Sequence, residues 1–209
     1  MALLQSGALL AAYHEDPCVP QSSLLLKKID DVFLSAGLKS DDVDRVLFCH
    51  GPGSFTSLRV GHATLAGLFV GRQQLSWGAC SSLLLRCLAV SRAKETVVVL
   101  MRAGRERIYC GSLTPSGEFN ETVASSKSIV DDLLKTEGPL IVAGDGLTLI
   151  SDAEKSRLMA RAQLMAQDPI HPQVFAMALQ HPGIKAFSTL PEMRLNYLLE
   201  PDIGAASGG

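Results

Sequence analysis

The stretch from Gly51 to Gly71, GPGSFTSLRVGHATLAGLFVG, limits what this chain can fold into more than any other. It follows Val46-Leu47-Phe48-Cys49, a short apolar run of β-formers that stops at glycine and so reads as a buried strand. Gly51 and Gly53 permit backbone angles closed to other residues, and Pro52 fixes one φ between them. Ser54 or Thr56 then stands where a side-chain oxygen can cap the first amides of a helix. The expectation is a strand, a tight glycine turn, and a helix of about four turns.

That helix is apolar around its whole circumference. Leu58, Leu65, Leu68 and Phe69 lie near one stripe, while Val60, Ala63, Ala66 and Val70 cover the rest. Such a helix needs burial on every side. It is too short to cross a bilayer and is interrupted or flanked by Arg59, His62 and Arg72. Ala63, Gly67 and Gly71 fall four apart, a ridge without bulk that lets another helix approach. One side should cover the sheet ending at Cys49; the other needs either the rest of this chain or a second polypeptide.

At 209 residues the chain is one large domain or two small ones, with 47% hydrophobic and 19% charged residues, the balance of a compact folded protein. The net charge of −2 gives no global grip on nucleic acid, which requires clustered Lys and Arg. The five cysteines, Cys18, Cys49, Cys80, Cys87 and Cys110, contain no Cys-x-x-Cys pair and read as thiols in a reducing compartment rather than metal ligands or disulfides. No basic n-region precedes a long apolar run, and no segment reaches spanning length, so the expected location is cytoplasmic.

Along the chain, Ala2–Gln5, Ser6-Gly7 and Ala8–Tyr13 read as a hairpin. Ser22 or Ser23 is placed to cap a helix carrying Leu25, Leu26, Ile29, Val32, Phe33 and Ala36, with Gly37 as its stop. Leu75–Ala79 reads as a strand and Leu83–Val90 as an apolar helix. Ser91–Glu95 is the best linker, dividing the chain into residues 1–92 and 93–209. Thr96–Met101 reads as a strand covered on both faces, Ile108–Leu113 and Phe119–Val123 as strands flanking a Pro115-Ser116-Gly117 turn. Ser128–Leu134 is a short helix, Leu140–Ala143 a strand, Gln173–Gln180 a helix after Pro172, and Gly204–Gly209 a disordered end. Strands followed by helices, twice over, indicate paired α/β sheets.

Gly51-Pro52-Gly53-Ser54-Phe55-Thr56 with Leu58-Arg59-Val60-Gly61 resembles the signature of the TsaB (YeaZ) family, which usually has Gly where Ser57 stands here. Weaker similarity continues at Gly78–Leu83, Val97–Tyr109, Gly144-Asp145-Gly146 and Pro191–Leu198. The resemblance implies two lobes of the actin-like ATPase fold. Family members begin with an additional central strand and phosphate-side loop, which this chain lacks before Ala2. The gap would be about two strand spacings wide, too far for ladder bonds. Two expectations follow: the hairpin moves inward to pair with Val46–Cys49, or the natural chain starts upstream.

Several residues invite chemical readings. The turn at Gly51–Thr56 could cradle an anion, but it lacks the Lys of a P-loop, and a structural turn is the preferred reading. Ser54 has no Gly-x-Ser-x-Gly around it, and neither His-x-x-x-His nor His-Glu-x-x-His occurs, so no catalytic residue and no metal ligand is assigned. His50 and His62 read as core or surface residues, His171 and His181 as turn residues before proline. Arg102, Arg105 and Arg107 form a basic hairpin, a solvated turn or a contact to tRNA phosphate or an acidic partner. The family's Asp-Ala-Arg is Arg102-Ala103-Gly104 here, which removes an acid that a metal or nucleotide claim would need.

The resemblance implies a non-catalytic scaffold that pairs with TsaD, joined by the ATPase TsaE, for threonylcarbamoyl transfer to the adenosine beside the tRNA anticodon. It also implies a homodimer through the same surface, tRNA contact only through the complex, no membrane, and no cofactor on this chain, with ATP and metal on the partners. The expected interface is Leu25, Ile29 and Phe33 with Leu58, Gly61, Thr64, Leu65 and Leu68. The alternative is a degenerate glycoprotease-like or ATP-binding enzyme.

Overall fold

The computed structural model describes residues 1–13, 24–166, 170–187 and 192–198. Strands β1 (Ala2–Gln5) and β2 (Ala8–Ala12) form an antiparallel hairpin. Its turn, Ser6-Gly7, has positive φ at both residues, the geometry that matches strand twist in two-residue hairpins. Helix α1 (Leu25–Ala36) ends at Gly37 in the left-handed conformation, whose N–H bonds back to the last turn. Leu24 occupies its N-cap, and the expected caps Ser22 and Ser23 lie outside the described residues, as does the Gly204–Gly209 end.

The expected strand–turn–helix is present. Strand β3 (Arg45–Cys49) leads through the glycine turn into α2 (Phe55–Leu68), capped by Ser54. Next come β4 (Ser76–Cys80) and α3 (Ser82–Val90). After the polar link run β5 (Thr96–Arg102), β6 (Arg107–Leu113), β7 (Phe119–Ser125) and α4 (Ser126–Lys135). They are followed by β8 (Leu140–Ala143), α5 (Asp152–Met159), β9 (Gln163–Met165), α6 (Val174–Ala178) and β10 (Lys185–Phe187).

The second lobe carries a five-stranded sheet in the order β7-β6-β5-β8-β9, antiparallel from β5 through β7 and parallel across β5, β8 and β9. The first carries β10-β4-β3, with β3 parallel and β10 antiparallel to β4. Because β10 comes from the end of the chain, residues beyond the second sheet return to the first. The sequence division near residue 92 does not show this return.

The hairpin does not move inward. It forms its own two-stranded sheet against α1, and β3 is the edge of the three-stranded one. The open edge is tolerated because Val46–Cys49 are only half-buried, so water reaches backbone groups that would be costly to bury unpaired.

Helix α3 lies between the lobes. Leu83, Leu84, Leu85, Cys87 and Leu88 are buried with Val97, Val99, Leu113 and Ile141 of the second sheet. The other face of that sheet, Val98, Leu100, Ile108 and Val142, packs on Ile129, Val130, Leu133 and Leu158 of α4 and α5. Covered on both sides, β5 is the unbroken apolar strand its sequence suggests. A third cluster joins Phe69, Leu75, Trp77 and Ala79 to Met193 of the C-terminal segment.

The α3–β6 contact depends on one missing side chain. A Cβ on Gly111 would sit 2.6 Å from Leu83 Cβ, closer than atoms can approach. Gly111→Val should therefore destabilise the fold by about 1–3 kcal/mol through overpacking. Urea unfolding followed by circular dichroism checks this, and an unchanged midpoint would show that α3 moves aside freely.

Candidate functional site: the glycine turn and the helices beside it

The end of β3 and the start of α3 meet at the turn. The N–H of His50 donates to Cys80 O at 3.1 Å, extending the β3–β4 ladder by one bond. Gly51 then adopts φ +114°, where a side chain would be strained and its Cβ would lie 2.7 Å from Asn196 O. Gly51 O accepts the N–H of Ser82 at 2.8 Å, and Pro52 O accepts the Ser82 hydroxyl. These carbonyls face the first turn of α3. The turn's acceptors are thus used to join two elements.

Ser54 Oγ accepts from Ser57 N at 3.4 Å and from the Ser57 hydroxyl at 3.1 Å. Ser57 thus strengthens the cap through its own side chain. Phe55 lies between the Arg59 guanidinium, 3.7 Å from the ring centroid, and Tyr197, at 5.0 Å. Gly53 and Thr56 are exposed.

A carboxylate latch crosses the lobes beside this turn. Glu121 of β7 accepts from Ser81 Oγ at 2.5 Å and from Asn196 Nδ2 at 2.7 Å. Ser81 Oγ also accepts the N–H of Leu83 as the α3 cap. Asn196 donates its own N–H to His50 O at 2.8 Å. The C-terminal segment is thereby fastened over Gly51. The sequence does not single out these three residues: Ser81 and Asn196 fall inside the segments Gly78–Leu83 and Pro191–Leu198 that are similar to the family, and Glu121 carries no such signal.

His50 is buried, and its Nδ1–H donates to Cys80 O at 2.9 Å, which makes Nε2 the unprotonated nitrogen. Burial, the largest influence, holds its pKa below the ordinary histidine value, while the Cys80 carbonyl opposes this. His62 packs edge-on against Phe48 with ring centroids 6.2 Å apart. His171 and His181 accept the N–H of Gln173 and Gly183, the turn roles expected of them. Among the described residues no three of His, Cys, Asp or Glu come together to hold a metal. The Arg102–Arg107 hairpin is exposed, tied by Ala103 N–H to Arg107 O and by Arg102 N–H to Asp145 Oδ1.

Helices α1 and α2 lie in contact. Ile29 is buried; Leu25 and Phe33 are half-buried; Leu26 and Leu34 are 58% and 81% exposed. On α2, Gly61 faces the sheet, its Cβ position 3.1 Å from the Phe48 ring. Leu65 and Leu68 pack against the Phe69–Trp77 cluster and stay half-buried, as do Leu58 and Thr64. The opposite side presents Ala63, Ala66 and Gly67, all exposed, and Val70, 80% exposed just beyond the helix end. The small-residue ridge therefore points away from the chain's own core. No side chain of α2 is fully buried.

Two sheets with this order, a helix layer between them, and a glycine turn at the junction define a two-lobed α/β protein of the actin-like ATPase type. The sequence model of TsaD, tRNA N6-adenosine threonylcarbamoyltransferase, matches residues 21–160, and the chain belongs to that family. Its fold is like that of YeaZ (TsaB). A crystal structure of an uncharacterized protein with similarity to peptidase YeaZ from Pseudomonas aeruginosa superposes with a TM-score of 0.68 at 22% identity, over 95% of this chain and 93% of that one. YeaZ from Pseudomonas aeruginosa superposes with a TM-score of 0.64 at 22% identity, over 85% and 83% of the two chains. No curated protein matches the sequence. No described helix is long and apolar enough to cross a membrane.

Two outcomes follow from the latch. Glu121→Ala should cost about 2 kcal/mol, the scale of hydrogen bonds to a charged group, and lower the melting temperature. An unchanged melting temperature would leave the latch without energetic weight. His50 is harder to protonate folded than unfolded, so the unfolded chain takes up its proton first on acidification. Stability should fall as pH drops below the ordinary histidine value of 6.5, and His50→Gln should flatten that part of the profile.

Proposed function

We propose that this chain is a non-catalytic scaffold subunit of tRNA N6-threonylcarbamoyladenosine synthesis that pairs with TsaD through α1 and α2. Membership of the threonylcarbamoyltransferase family supports the coarse role in tRNA modification. The observation that carries the scaffold reading is α2 itself: fourteen mostly apolar residues, none fully buried by the chain's own fold. A lone soluble chain gains by covering such a surface, and its ridge of Ala63, Ala66 and Gly67 admits a second helix at close range. Half-exposed Leu65 and Leu68, with Leu26 and Leu34 of α1, supply the apolar rim.

In this reading the same face closes a homodimer when the chain is alone, TsaE joins the TsaD pair, and tRNA is met only through the complex. ATP and metal belong to the partner subunits. The alternative is an ATP-binding or glycoprotease-like enzyme. The internal bonding of the glycine turn speaks for the scaffold, because Gly51 and Pro52 direct carbonyls into α3 and Asn196 lies over Gly51.

Ala63→Arg places a charge on the exposed ridge without entering the core. It should weaken co-elution with TsaD by about 100-fold or more, the effect of damaging an interface centre, and shift the isolated chain toward monomer in light scattering with an unchanged circular dichroism spectrum. Full retention of both associations would sink the assignment. Robust ATP turnover by the purified chain with magnesium, lost on altering Gly53, would favour the enzyme.

A further inference from the structure

Cys49 and Cys80 lie far apart in sequence, yet they are register partners at the C-terminal ends of parallel β3 and β4. Neighbouring strands run about 4.8 Å apart and register partners share a face. That spacing falls within the Cα range a disulfide spans, about 4.4–6.8 Å. Both side chains belong to the core cluster around α3. Their accessibility differs. Cys80 is wholly buried, while Cys49 stands half-buried on the edge strand.

We propose that Cys49 and Cys80 form a reversible dithiol–disulfide site, oxidised by hydrogen peroxide or organic hydroperoxides, in which Cys49 attacks and Cys80 resolves. The Cys49 thiolate attacks one oxygen of the hydroperoxide and the O–O bond breaks. Water or an alcohol leaves, and Cys49 becomes a sulfenic acid. The Cys80 sulfur then attacks Cys49 Sγ, the S–S bond forms and the S–O bond breaks. The Cys80 proton leaves with the hydroxyl as water. The two sulfurs together lose two electrons, and the hydroperoxide gains them.

The surroundings divide the roles the same way. The Cys80 thiol donating to Cys49 is the largest influence and lowers the Cys49 pKa, with the Gly51 N–H assisting and burial opposing. The same contact and burial push Cys80 up, as suits a thiol that waits for its partner. The Cys80 thiol also lies 3.9 Å from the Phe48 carbonyl, within the packed cluster that holds it beside Cys49. Among the other described thiols, Cys87 packs in the α3 cluster and Cys110 against the cluster on the opposite face of the second sheet. Burial raises both, Cys110 to about 12. The disulfide closes a covalent loop that contains all of α2, and it therefore restrains the helix on which the proposed docking rests.

The test is a disulfide map of the folded, full-length chain treated with stoichiometric hydrogen peroxide, alkylated and cut with trypsin. The expected product joins Val46–Arg59 to Gln73–Arg86, lacks two hydrogens and reverts with dithiothreitol. Cys49→Ser should abolish it and Cys87→Ser should leave it. The wild-type map decides the matter even where a cysteine variant folds poorly. A bond from Cys49 to any other cysteine, or conversion of Cys49 to sulfinic acid with Cys80 still free, overturns the proposal. Because this readout requires no partner, it stands or fails apart from the scaffold assignment.

Discussion

The placement of α3 between the two sheets is the constraint on which everything else depends. Five of its nine residues are buried, filling the space under β5, β6 and β8 on one side and reaching the ends of β3 and β4 on the other. Its N-terminus does most of the joining. Ser81 caps the helix and donates to Glu121 of the second sheet, and Ser82 holds both carbonyls of the Gly51-Pro52 turn. Hydrophobic burial supplies the bulk of the stabilisation and is non-directional. The hydrogen bonds at the helix start fix where the lobes meet.

That arrangement leaves the two sheets with unequal cover. The second is packed on both faces, by α3 and by α4 with α5. The first has α2 on one face, where Gly61, Leu65 and Leu68 meet the sheet and α1 lies alongside. The outer side of α2 carries the small residues Ala63, Ala66 and Gly67 between Arg59 and Val70. An outward helix face of small residues suits helix packing, whereas small-ligand binding needs a concave pocket with convergent polar groups. The glycine turn is a joint between β3, α2 and α3.

Much of the architecture was legible in the chain. The glycine turn, the Ser54 cap, the Gly37 stop and the doubly covered strand at Thr96–Arg102 follow from local stereochemistry and apolar pattern, and each is present. The hairpin's location was not legible, because pairing across a sheet depends on which surfaces compete for the same strand. There, packing on α1 prevails over pairing with β3. The return of β10 to β4 was hidden for the same reason: three residues, Lys185–Phe187, carry no periodicity strong enough to name a partner.

The candidate site shows the same division between local and distant information. Sequence by itself determined that a glycine bend precedes an apolar helix longer than any small core needs, because turn chemistry and helix periodicity are encoded within a few residues. Only the tertiary structure decided which face of that helix looks outward, that Glu121 and Asn196 close over the bend, and that Cys49 meets Cys80. Those facts depend on contacts between residues remote in the chain, and side-chain type alone does not state which remote surfaces meet.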